Sequence, residues 1–250
     1  MSIWDQLKKA PAGVPRSGLG RWFQLLEDRF MKLFWANFLW LLCMIPFLGC
    51  LFFALQAGDV LSAAGAGLFW VLAGPANTYL CFAAMQVVRG RPVWVRQDFI
   101  GCLRACGLRS MGFAALTGLL WGGLFWAVRL VLAVQGGLGL LYALAFLCDA
   151  FVLTGVTFFG HQQLAMLRLP FGAQLKNAFL LIFAGGARSF AAVAFLLAAL
   201  GAGLCLYRYF VFVLLLGLPA VAVMTGSLIF YPVFARLFAA DGQAPGGNSA

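Results

Sequence analysis

Long apolar runs alternate along this chain with short, basic, polar stretches. A helix rises 1.5 Å per residue, so about 20 apolar residues cross a hydrocarbon core roughly 30 Å thick. Six stretches meet that length: residues 33–55, 61–88, 111–134, 138–163, 190–206 and 210–237. Only Tyr207–Arg208–Tyr209 separates the last two, which makes them a tight hairpin. Ahead of the first, Trp22, Leu25, Leu26, Phe30 and Leu33 recur at helical spacing, with Arg21, Glu27, Asp28 and Lys32 mostly on other faces. This amphipathic pattern predicts a helix lying in the cytoplasmic interface before span one.

The pattern predicts an all-α integral membrane protein, a bundle of about six transmembrane helices with short amphipathic interfacial helices. Residues 1–32 form a cytoplasmic N-terminal segment, 33–237 the transmembrane domain, and 238–250, ending in the Gly/Pro-rich DGQAPGGNSA, a disordered cytoplasmic tail. Residues 79–120 overlay 158–199 at a shift of 79, bringing Arg89 onto Arg168, Ile100 onto Phe179 and Arg109–Ser110 onto Arg188–Ser189. Each copy reads as a descending helix, a basic turn, a short apolar-faced helix and an ascending helix. Phe99, Leu103 and Cys106 share the short helix's face in one copy; Leu175, Phe179 and Ile182 share it in the other. The two copies would form a parallel repeat, unless two apolar hairpins simply resemble each other.

Composition agrees with a lipid solvent. Hydrophobic residues make up 64% of the 250, and 10% are charged. Mean hydropathy is +0.98. A soluble domain could not hide so much apolar side chain behind so little polar surface. The net charge of +10 comes from basic residues between the apolar runs, with no separate basic domain to hold nucleic acid. Of the 17 Lys and Arg residues, 15 fall on one side of this topology and only Arg129 and Arg208 on the other. The positive-inside rule then puts both termini in the cytoplasm of a plasma membrane. The N-terminus lacks an apolar core with a small-residue cleavage site, so no cleaved signal peptide is expected.

Several segments resemble the YesL family of bacterial integral membrane proteins, a domain of unknown function. They are FWANFLWLLCMIPFLG (34–49), AGPANTYLCFAAMQVVRGRPVWVRQDFIGCLR (73–104), LKNAFLLIFAGGARS (175–189) and IFYPVFARL (229–237). The chain departs from the family pattern after Pro46, where no threonine follows, and in the loop 56–59. The resemblance implies a six-helix plasma-membrane bundle associated with bacterial carbohydrate uptake and breakdown. It assigns no activity and no binding residues.

Asp149 is the sharpest candidate for chemistry. It lies near the middle of span four, where a carboxylate costs roughly 2.5–3.5 kcal/mol on insertion scales. It is therefore expected to face the bundle interior or a wet cavity, as a substrate or proton site or as a structural residue bonded to a neighbouring helix. A second polar group comprises Asn37, Asn77, His161 and Tyr231, beside the expected helix breaks at Pro75 and Pro232. These residues would line a cytoplasm-facing vestibule or bond helix to helix. His161 has the further option of sitting at the headgroups.

No enzyme motif is visible. GxxxxGK[ST] and HExxH are absent, and one histidine is too few for most metal or haem sites. Cys102 and Cys106, one turn apart, are a poor metal pair and read as packing or lipidation positions. No cofactor or metal is expected. The partners expected are the lipid bilayer and a membrane or cytoplasmic protein. The leading function is a transporter-like bundle or an accessory component of solute uptake. The alternatives are a membrane scaffold docking a cytoplasmic partner and an intramembrane lipid-acting enzyme.

Overall fold

The structure is a computed structural model and describes residues 18–57, 60–133, 137–167, 169–205 and 217–240. Every regular element among them is a helix: α1 Gly18–Ala57, α2 Val60–Leu72, α3 Gly74–Val88, α4 Val95–Ala133, α5 Gly137–Met166, α6 Phe171–Ala184, α7 Ala187–Cys205 and α8 Leu218–Ala240. Helices α1, α4, α5 and α8 are each long and apolar enough to cross a bilayer. Two bent pairs, α2 with α3 and α6 with α7, raise the number to six if each counts as one span. The Tyr207–Tyr209 hairpin, the first 17 residues and residues 241–250 lie outside the described residues, whereas 238–240, expected in the disordered tail, continue α8 because Phe238, Ala239 and Ala240 carry no helix breaker.

Pro75 acts as expected. It has no N–H to give the Val71 carbonyl, and its ring crowds the preceding turn. The helix is interrupted at Ala73, Gly74–Pro75 start α3, and the axis turns by 42°. Pro232 does not break its helix, contrary to expectation: α8 runs straight through it, as α1 runs through Pro46. One missing hydrogen bond inside a packed helix is tolerated when the turns on both sides stay paired.

The N-terminal amphipathic stretch is likewise not a separate helix. No Gly or Pro stands between Arg21 and Ile45, so α1 continues unbroken for 40 residues. A continuous rod cannot lie flat in the interface and also cross the core. Most of the apolar face of this segment packs on protein: Leu25 and Leu33 are buried among Tyr79, Leu80, Val88 and Met224, with Trp22 and Leu26 against them, while Phe30 stays exposed.

The two copies of the internal repeat also diverge. In the second, α6 ends at Gly185–Gly186 and α7 departs at 104°. Gly186 has φ +56°, and its N–H bonds the Phe183 carbonyl. A side chain rarely adopts that conformation. In the first copy the matching positions hold Cys106 and Gly107, and α4 continues through them for 39 residues. The expected short helix and span three are therefore one helix. The faces differ too: Leu103 and Phe179 point outward, while α6 buries Gln174, Ala178, Leu181 and Ile182.

Two apolar cores hold the bundle. One joins α1, α3 and α8 around Leu33, Tyr79, Val87 and Met224. The other joins α4 to α8 around Phe113, Phe159, Ile182, Val193 and Phe230.

Candidate functional site

Three of the five expected site residues lie in one polar seam across the bundle. On α1, Asn37 and Trp40 are one turn apart. The Trp40 indole N–H donates to Asn77 Oδ1 on α3 at 2.7 Å. The Ala220 N–H donates to Asn37 Oδ1 at 3.3 Å. Ala220 is in the first turn of α8, whose N–H groups have no partner within the helix, so Asn37 caps α8 from a neighbouring helix. Next to Asn77, Thr78 Oγ lies 2.8 Å from His161 Nδ1 on α5 and 3.2 Å from the Gly74 carbonyl.

His161 is 2% exposed, so its ring is enclosed by protein. Its ring stands edge-on to Phe113 at 5.1 Å. The Thr78 hydroxyl has one proton, given either to Gly74 or to the imidazole. In both cases the far nitrogen, Nε2, is buried without a partner among the described residues. The adjacent glutamines extend the seam. Gln162 Nε2 donates to Ser227 Oγ on α8 at 2.7 Å, and Gln174 Nε2 donates from α6 to the Gly160 carbonyl at 3.2 Å. Gln162 Oε1 and both ends of the Gln163 amide are buried and unpaired among the described residues.

Thr78→Val keeps the shape and removes His161's partner. We expect a loss of about 1 kcal/mol in reversible unfolding from mixed micelles, typical of an interhelical hydrogen bond. Thr78→Ser should restore it. A Val variant as stable as the parent would show that the seam contributes nothing.

Tyr231 is not in the seam. It neighbours Arg89 at the C-terminal end of α3. Burial holds the Arg89 pKa down, to about 10; the nearby Tyr231 phenol pushes it up and Arg91 pushes it further down. The guanidinium therefore stays charged at neutral pH. It lies over the Phe234 ring at 5.9 Å, with Nε and Nη1 unpaired among the described residues. Arg21 Nη2 donates to the Val88 carbonyl at 2.9 Å, putting a cation on the negative end of the α3 dipole.

Asp149 is where the expectation of an interior carboxylate fails. It is exposed, on a stretch of α5 where residues 140–145 and 147–149 are all exposed. It and His161 are 12 residues apart on one helix, about 18 Å along the axis, so they share no site. The nearest sequence candidates for an ion pair, Arg129 and Arg208, have side chains outside the description.

The sequence reading missed Trp40, Thr78, Gln162 and Ser227. The pair Gln162–Gln163 beside a lone histidine at the end of an apolar run was the available signal. Three indoles besides Trp40 also bond between helices: Trp22 to Thr225, Trp70 to the Ala114 carbonyl and Trp121 to Thr157. Cys102 and Cys106 lie with sulfurs 3.4 Å apart, and the Cys106 thiol donates to the Cys102 carbonyl. No group of three potential metal ligands occurs among the described residues.

Comparisons of the chain with family models, curated proteins and solved structures found no match.

Proposed function

We propose that the chain is a multi-pass accessory subunit of a membrane assembly for solute uptake, and that Asp149 is where a partner transmembrane helix docks. The carrying observation is an exposed carboxylate about 18 Å from the start of α5, a helix of bilayer-spanning length. Acidic side chains at that depth persist by pairing, and among the described residues this one is exposed. A partner helix bearing a cation or hydrogen-bond donor supplies the pairing. The uptake role, the bacterial plasma membrane and a carbohydrate solute rest on the YesL resemblance. Cytoplasmic termini rest on the asymmetry of Lys and Arg.

The second reading is a transporter that works alone. The His161 Nε2 and Gln163 amide, buried without a partner among the described residues, favour it. One experiment separates the two. Membranes are solubilised in mild detergent and the chain purified with and without Asp149→Leu, with Asp149→Asn as the variant that keeps a polar group. An accessory subunit brings down a stoichiometric membrane protein, loses it in Asp149→Leu and retains part of it in Asp149→Asn. Reconstituted alone, it moves no solute. Solute flux by the isolated chain that falls in Asp149→Asn would establish the transporter instead.

A further inference from the structure

A surface groove of about 430 Å³ lies between α1 and the start of α4, lined by Lys32, Trp35, Trp94, Val95, Arg96 and Gln97. Its two cations come from different helices, and both side chains are exposed. Lys32 Nζ stands 5.9 Å from the Trp94 ring centre, held over an indole that is itself 61% exposed. The acid in the first turn of α4, Asp98, is already engaged: its Oδ2 accepts the Trp94 N–H at 2.8 Å. The groove therefore presents positive charge and two indoles.

What continues from the groove gives the ligand its class. Along α1, Trp35, Phe38, Leu42 and Ile45 are all exposed, at spacings of three, four and three residues. Such spacing places them on one helical face. The stripe runs about 15 Å from Trp35 to Ile45, the depth of one leaflet's hydrocarbon. Indoles settle at headgroup level, and basic pockets between membrane helices hold anionic headgroups. We propose that this groove binds the phosphate of an anionic phospholipid between Lys32 and Arg96, with an acyl chain lying along the α1 stripe. A free phosphate shares the headgroup chemistry but has no use for the stripe.

Native mass spectrometry of the full chain from detergent micelles tests this, with phosphatidylglycerol and phosphatidylcholine offered in equal amounts. Retained phosphatidylglycerol should exceed phosphatidylcholine by about tenfold. The Lys32→Ala/Arg96→Ala variant should lose that preference, and Lys32→Arg/Arg96→Lys should keep it. Phe38→Ser/Leu42→Ser should weaken retention of both lipids with the charges intact, and millimolar inorganic phosphate should not displace the bound lipid. An unchanged preference in the double alanine variant would overturn the site. Displacement by inorganic phosphate would overturn the lipid assignment and leave a free-anion site.

Discussion

Replacing Gly74 by alanine should destabilise the protein by about 3 kcal/mol, the upper part of the usual range for overpacking. Gly74 opens α3 where it crosses α4. A Cβ there would stand 2.5 Å from the Ser110 carbonyl oxygen and 2.9 Å from Ala114 Cβ. The first contact is with backbone inside a continuous 39-residue helix, so no rotamer change relieves it. The two helices must separate, and the neighbouring Thr78–His161 and Trp40–Asn77 bonds stretch with them. Removing the side-chain contact should therefore not help. Ala114→Gly in the Gly74→Ala background should recover less than about 0.5 kcal/mol, as for an uncoupled pair. Reversible unfolding in mixed micelles measures both. A Gly74→Ala variant within about 1 kcal/mol of the parent would mean that α3 and α4 do not meet at this crossing.

Gly160→Ala should cost a similar amount alone but behave differently in combination. A Cβ at Gly160 would lie 2.0 Å from the Phe113 ring tip and 2.6 Å from Cε1. Phe113 is fully buried, with its ring against His161, so it has nowhere to swing. Here the obstacle is a side chain. Phe113→Leu alone leaves a cavity and should cost about 1–2 kcal/mol. Combined with Gly160→Ala, the space one change opens is the space the other fills. The double variant should be about 2 kcal/mol more stable than the sum of the two losses. Additive losses would place Phe113 away from Gly160. Together the two cycles distinguish a crossing set by backbone from one set by a ring.

The lengths of apolar run in the sequence pointed to an all-helical membrane protein of about six spans, and among the described residues four helices are fit to cross a bilayer, or six if each bent pair counts as one. That follows because helix length and solvent preference are properties of local sequence. Pro75 was legible for the same reason: a proline after glycine inside an apolar run acts on its own turn. The unbroken passage of α8 through Pro232 was not legible, because tolerance of a lost hydrogen bond depends on what packs around it. The divergence of the repeats was not legible, because the residue on which the second copy turns, Gly186, is matched by a glycine, Gly107, inside the unbroken α4. Asn37, Asn77 and His161 were legible as polar residues in apolar runs. Their union in one seam required knowing which faces of α1, α3, α5 and α8 meet. Asp149 shows that dependence most clearly. Its depth came from counting residues along a helix, but its outward direction depends on where the neighbouring helices stand, and that is decided only when the bundle packs.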